Sequence, residues 1–425
     1  MAIPNLSDPP TGWAIVRLGD VLALQRHAVE PDPAQAYREI GIRSHGKGIF
    51  HKPEVTGDDL GDKRVFRVVP DCLVLNIVFA WEGAVAVTSA NESGMIASHR
   101  FPMFSPARPD IVDVEFLRRY FVTKHGTKLL GDVSPGGAGR NRTLNQSSFA
   151  SLAIPLPPLP EQKKIAAILS SVDEVIAKTE AVIAQLQIVK KAMMEQLLTK
   201  GMPDRHTRFK QTEIGEIPEE WEVVRAGELC EVITKGATPK VVTSAAPDCV
   251  PFLRVQNIGR RGEIDLSGSA LFVTERTHTT ELTRSQIRPG DVLMNIVGPP
   301  LGKVAVVPIS IPKANINQAI ALLRPARIES EYLSLCLTAE HLFAWLLKQA
   351  KRTSSQLNLT LESCREFPLP LPERSERREI IACTVAMQLI LDAQQTELVA
   401  LREVKSSLSS SLLSGELRVI PEVAE

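Results

Sequence analysis

Residues 155–201 read PLPPLPEQKKIAAILSSVDEVIAKTEAVIAQLQIVKKAMMEQLLTKG. A short Pro-Leu segment leads into one long helix. Apolar residues fall at Ile165, Leu169, Val172, Ile176, Ile183, Leu186, Met193 and Leu197. The steps are four and three, or seven where a polar residue intervenes, which is a heptad seam. The plan returns 215 positions later. Pro370-Leu371-Pro372 precedes Glu376-Arg377-Arg378, and Ile380, Met387, Leu391, Leu398, Leu401, Leu408 and Leu412 repeat the register. Even the interruptions match, Thr179 with Gln394 and Lys190 with Lys405.

Neither helix can bury so long an apolar stripe alone. Each spans roughly 39 residues, so about 58 Å at 1.5 Å per residue. A whole domain lies between them in the chain. The short route runs out along the first helix, through that domain and back along the second. This predicts an antiparallel pair with a domain at each end. The alternative is two amphipathic helices packed separately on their own domains.

The domains repeat as well. Trp13 to Val21 is echoed 208 residues later by Trp221 to Leu229, a short strand running into a helix in each case. Leu75-Asn76-Ile77-Val78 and Gly83 to Val87 return as Met294-Asn295-Ile296-Val297 and Gly302 to Val306. Their β-branched content marks them as buried strands. Helical segments are expected over Glu115–Leu130 and Ser330–Gln349. Each domain then ends in a polar loop ahead of its Pro-Leu segment. The chain is therefore a tandem duplication. A first domain spans 1–154 and a first long helix 155–201. A second domain spans 202–369, and a second long helix with a tail spans 370–425. The fold class is α+β: two mixed domains joined by an antiparallel coiled coil with pseudo-two-fold symmetry. The framework strands and helices still match while the loops have diverged, as two readers of an asymmetric target would.

A chain of 425 residues has room for two or three domains. Lys and Arg number 49, as do Asp and Glu, so the chain as a whole is no polyelectrolyte. That argues against an autonomous high-affinity nucleic-acid binder but leaves room for local basic faces. Cys72, Cys230, Cys249, Cys336, Cys364 and Cys383 are scattered, with no C-x-x-C spacing. Free thiols in a reducing cytoplasm fit this pattern. The start MAIPNLSDPPTGW lacks the basic and apolar regions of a secretory signal. The most apolar stretch, Val68 to Val87, is interrupted by Asp71, Asn76 and Glu82, too polar to span a membrane.

With its doubled Pro-Leu-Pro helix start, the Ile217-Pro-Glu-Glu-Trp221 lead-in and the doubled Asn-Ile-Val strand, the chain resembles the specificity subunits of type I restriction-modification systems over nearly its whole length. The resemblance implies two target-recognition domains, each reading half of a bipartite double-stranded DNA sequence. The helices would set the spacing and dock two modification (methyltransferase) subunits, to which restriction (translocase/nuclease) subunits add. The chain itself would carry no catalytic site, no metal and no cofactor. S-adenosylmethionine, ATP and magnesium would serve the partner subunits. Half-sites read from one face of B-DNA lie about 34 Å apart, a distance a stiff rod can fix and a flexible linker cannot. The even charge balance fits partners that share the phosphate contacts.

The residues expected to meet DNA lie in polar, basic stretches. In the first domain these are Arg43 and Lys47, then Arg140, Asn141 and Arg142 in a Gly-rich loop. In the second they are Arg254, Gln256, Asn257, Arg260 and Arg261, then Lys351 and Arg352. Arg and Asn are the side chains that read guanine and adenine edges with two hydrogen bonds. The alternative for each is a solvated surface loop. Asn76 and Asn295, inside apolar strands, are expected to satisfy buried backbone groups.

Three look-alikes of enzyme motifs fail on inspection. Gly41-Ile-Arg-Ser-His-Gly46-Lys47 has P-loop spacing, but Gly48 stands where Ser or Thr should ligate magnesium. Asp8-Pro9-Pro10-Thr11 lacks the aromatic residue of an adenine-methyltransferase loop. Glu161-Gln162-Lys163 has the Glu-x-Lys form of nuclease sites without a partner Pro-Asp, and Glu at a helix start favours the dipole. Two other functions share the architecture. One is the specificity subunit of a methylation-only or type II-like system. The other is a coiled-coil scaffold with no nucleic-acid role.

Overall fold

Leu73, Val74 and Leu75 form the strand on which the first half of the chain is built. Leu73 and Leu75 point into a core with Phe104, Phe116, Phe121 and Phe149, while Val74 points the other way, to Ile40, Ala86 and Met103. Both faces are covered, so the strand is apolar throughout instead of alternating. The same holds for Val292–Asn295: Val292 and Met294 join one core, and Leu293 joins another.

The computed structural model describes residues 9–136, 142–239, 249–259, 261–267, 270–353 and 356–419. The chain divides into two units, Met1–Ala181 with Thr396–Glu425, and Val182–Gln395. The boundaries drawn from sequence treat the helices as pieces of their own. The contacts instead share each long helix between the units, half to each.

In the first unit an antiparallel sheet has the order Leu22–Gln25, Met103–Pro106, Leu73–Leu75, Val85–Val87. In the second the order is Cys230–Lys235, Ile320–Pro325, Val292–Asn295, Val304–Val306. Position by position these are the same sheet. A two-stranded pair recurs too. Ala14–Arg17 lies antiparallel to Ala153–Leu156, and Glu222–Arg225 to Pro368–Leu371. The units differ in their second sheets. The first has five strands, with Ala36–Ile42 and Ile49–Thr56 at one edge. The second has four strands and, in addition, the hairpin Phe209–Thr212 with Gly215–Pro218.

Each helical segment expected after the sheet is two helices. Val114–Phe121 is followed by Lys124–Asp132, and Ser330–Thr338 by Glu340–Lys348. Thr123 is extended and its hydroxyl accepts from Gly126 N–H, restarting the helix with a new cap. Ala339, also extended, stands at the second break.

The long helices are Leu159–Thr199 and Arg374–Ser414, 41 residues each. They run antiparallel within each unit. In the first, Lys405 reaches Asp173 at 2.6 Å and Arg402 reaches Glu180 at 2.6 Å. In the second, Lys190 donates to Gln388. Positions 173 and 388 are themselves 215 apart, so one cross-helix contact is made twice. The helix starts are pinned alike. Gln162 donates to the Ile111 and Pro157 carbonyls at 2.8 and 2.7 Å. Arg377, its counterpart, donates to the Pro372 carbonyl and to Glu329, both at 2.7 Å. The helix ends stop at Gly201 and Gly415, with φ of 76° and 75°, a left-handed turn that terminates helices.

Candidate nucleic-acid interface

In the first unit the basic stretches meet at the connection between Leu73–Leu75 and Val85–Val87. His45 N–H donates to the Glu82 carbonyl at 2.8 Å, and Gly46 N–H to that of Gly83 at 2.9 Å. The Ser44 hydroxyl reaches the Glu82 carboxylate at 2.9 Å. These bonds hold the turn that displays Arg43 and Lys47, both exposed. Positive φ at His45, Gly46 and Gly48 makes the turn tight. This turn joins two strands, so the P-loop-like spacing has no helix behind it. From the other side Arg142 lies over the Trp81 ring at 5.7 Å, and Trp81 Nε1 donates to the Val78 carbonyl at 3.0 Å. Arg140 and Asn141 lie outside the described residues, as does Asp8.

In the second unit the same connection, between Val292–Asn295 and Val304–Val306, is again the meeting point. Gly298 N–H donates to the Leu357 carbonyl at 3.3 Å, tying down the hairpin Lys351–Thr353 with Gln356–Asn358. Lys351 and Arg352 lie on that hairpin by their backbone. Lys303 Nζ donates to the Ile258 carbonyl at 2.8 Å and anchors the 254–261 stretch. There Gln256 and Arg261 are exposed and Arg254 is half-buried, while Arg260 lies outside the described residues. Asn257 is buried, which removes it from the surface set. Its Oδ1 accepts from Arg254 N–H and its Nδ2 donates to the Asp265 carbonyl, both at 2.9 Å. A polar residue in an Arg-x-Gln-Asn run looks like a base reader, but this amide closes its own turn.

One bond frames both sites. Leu144 N–H donates to the Ile77 carbonyl, and Leu359 N–H to that of Ile296, each at 2.9 Å. Asn76 and Asn295 do what their placement suggested. Asn76 Oδ1 accepts from Val78 N–H at 3.1 Å. Asn295 accepts from Lys303 N–H and donates to the Pro300 carbonyl, both at 2.6 Å.

Three residues of the first site escaped the sequence reading: Trp81, Lys124 and Lys128. The two lysines are exposed, one turn apart on Lys124–Asp132. The signal was there as a four-residue spacing on a helical segment. Burial and the nearby Lys128 hold the His125 imidazole below its usual range. Among the described residues no three His, Cys, Asp or Glu converge as a metal site would need. Burial pushes the thiols of Cys72, Cys230 and Cys364 up to about 11, 12 and 12, so none is a ready nucleophile. No helix among the described residues is long and apolar enough to cross a membrane.

The seam residues are divided between the two units and differ in burial. Ile165, Leu169 and Leu412 belong to the first unit's core, with Leu408 packed against it. Leu197 and Ile380 belong to the second's, with Met193 against it. Ile183 and Leu391 are buried, and Val172, Ile176, Leu186, Met387, Leu398 and Leu401 are half-buried. Off the seam the helices leave apolar side chains in solvent: Val175, Val399 and Val404 in the first unit, and Ile188, Leu389 and Ile390 in the second.

Comparison with known proteins agrees with this architecture. The family described as type I restriction modification DNA specificity domain matches residues 73–187 and 218–385, more than half of the chain. The specificity subunit of the type I restriction enzyme MjaVIII from Methanocaldococcus jannaschii is 25% identical over 419 residues, covering 96% of this chain and 94% of that one. That of EcoBI from Escherichia coli is 25% identical over 292 residues, 65% of this chain and 60% of its own. Among solved structures, a chain from a study of complex assembly in a type I restriction-modification system superposes with a TM-score of 0.61. It is 21% identical and covers 96% of this chain and 100% of its own. The HsdS subunit of Thermoanaerobacter tengcongensis superposes at 0.51, 21% identical, covering 96% and 98%. The chain belongs to the type I restriction-modification DNA specificity family, the non-catalytic DNA-recognition subunits of those systems.

Proposed function

We propose that each unit reads one half of a bipartite double-stranded DNA target, and that the long helices fix the spacing between the halves. The observation that carries this is the repeated frame. In both units two separate basic stretches converge on the connection after the Asn-Ile strand, held by the same backbone bond, while the loops themselves share little sequence. One frame with two different loop sets suits two different short sequences read in a fixed relation. Arg43, Lys47 and Arg142, and Gln256, Arg261, Lys351 and Arg352, are the side chains assigned to that contact. Phosphate contacts position such loops and base-edge contacts specify.

The exposed apolar residues of the long helices dock two modification subunits, one on each unit's share. Side chains such as Ile188 and Leu389, 62% and 64% exposed, are the kind that a partner covers. Restriction subunits join that core. S-adenosylmethionine, ATP and magnesium serve those partners, in a cytoplasm where thiols stay reduced.

Co-expression with the genomic neighbours, followed by single-molecule mapping of methylated adenines, tests the reading. A bipartite motif with a fixed gap, lost when this chain is deleted, is the expected result. Modification subunits that bind the chain yet methylate no defined motif would overturn it.

A further inference from the structure

Four side chains of the first unit are unexplained by its packing. Trp81, Lys124, Lys128 and Arg142, together with Asp132, line an open concavity of about 480 Å³. Lys124, Lys128 and Arg142 are exposed, and among the described residues none of them makes an ion pair. Asp132 is the only carboxylate among the described lining residues, so the concavity is cationic.

The second unit supplies a control built on the same frame. Gly83 lies against Thr127, and its counterpart Gly302 lies against Phe343, which aligns the two helices residue by residue. Lys124 then corresponds to Glu340, and Lys128 to Ala344. The same connection matches Trp81 with Pro300, and the bond shared by Leu144 and Leu359 matches Arg142 with Leu357. Each cation is replaced by an uncharged or acidic residue. Glu340 is itself paired with Lys191. The fold therefore stands without the cations, and their presence in one unit needs another cause.

We infer that this concavity is a phosphodiester cradle. It holds a DNA backbone phosphate beside the first unit's half of the target, and the matching positions Glu340, Ala344 and Leu357 of the second unit carry no cation. The inference rests on the DNA-reading function proposed above. Lys124 and Lys128, four residues apart on one helix face, supply compact point charges to the phosphate oxygens. Arg142 supplies a forked donor, and the Trp81 face beneath it limits the directions it can take. The indole N–H is already donated to Val78, so Trp81 positions Arg142 and does not read a base edge. At these three positions the first unit holds a phosphate contact that the second unit does not match.

The test uses the complex assembled with its modification subunits and a duplex carrying its own motif, with affinity measured across salt concentration. Each phosphate contact contributes close to one unit of the log–log salt slope. The double variant K124A/K128A is expected to flatten the slope by about 1, with the methylated motif unchanged. K124R/K128R keeps the charge and is expected to keep the slope. An unchanged slope in K124A/K128A overturns the cradle alone. A relaxed first half of the motif overturns it in favour of base reading. A wild-type complex that binds no duplex overturns the DNA reading itself, and the cradle with it.

Discussion

Arg418 Nε and Nη2 each lie 2.8 Å from a carboxylate oxygen of Glu161, 257 positions earlier in the chain. Glu161 is buried at the start of the first long helix, and Arg418 follows the end of the second. The second unit makes the same closure with other residues. His206, just past the first long helix, lies 2.9 Å from Glu376 at the start of the second. A tryptophan completes each cluster: Trp221 Nε1 donates to Glu376 at 3.1 Å, and Trp13 lies beneath the Arg418 guanidinium at 6.0 Å. The helix glycines belong to the same arrangement, since a side chain at Gly201 would meet His206 and one at Gly415 would meet Trp13.

Arg418→Ala should therefore weaken the first unit and spare the second. A buried carboxylate left without its partner costs several kcal/mol, and Arg418 is a third exposed, so about 2 kcal/mol is expected. Hydrogen exchange should show lost protection around Trp13 and the start of the first long helix. Equal loss in both units would contradict the assignment.

A charge in the seam should cost more than a charge beside it. Leu186→Asp and Leu401→Asp place a carboxylate at half-buried heptad positions, for about 2–3 kcal/mol each. Ile188→Asp changes a residue 62% exposed and should leave the melting temperature within a degree or two, while reducing capture of the modification subunit. Thermal melts and co-purification of the three variants separate the two roles.

Acid should loosen the first unit's helix pair more than the second's. Burial raises the Asp173 pKa, but Lys405 and then Arg119 outweigh it, so the carboxyl sits below its usual value. A depressed folded pKa adds stability that is full above the unfolded value, about 3.9, and is lost as pH falls through the folded one. Gln388 at the matching position does not titrate. Unfolding followed below about pH 4 should therefore show an Asp173 contribution that Asp173→Asn removes.

The two strand-end asparagines should differ in their cost. Asn295→Ala strands the Lys303 N–H and the Pro300 carbonyl, for about 2–3 kcal/mol. Asn76→Ala strands a single N–H at 3.1 Å and should cost about 1 kcal/mol. Denaturant melts of the pair decide it.

The parts legible in the sequence were those with a period or a repeat. A seam sustained over 41 residues leaves few alternatives to a long helix, and the doubled Asn-Ile strand locates a shared sheet. Less was legible where a single side chain decides. Nothing in the spacing of Thr123 announces that its hydroxyl restarts a helix. The Asn257 amide is spent on a turn that closes eight residues later. Lys124 and Lys128 look like any polar face until Trp81, far off in sequence, stands beside them.

The bond from Leu144 to Ile77, and its twin from Leu359 to Ile296, pin the end of the last variable loop of each unit to the frame strand that both units share. One fixed anchor with free sequence beyond it lets the two units carry unlike loops on a like frame.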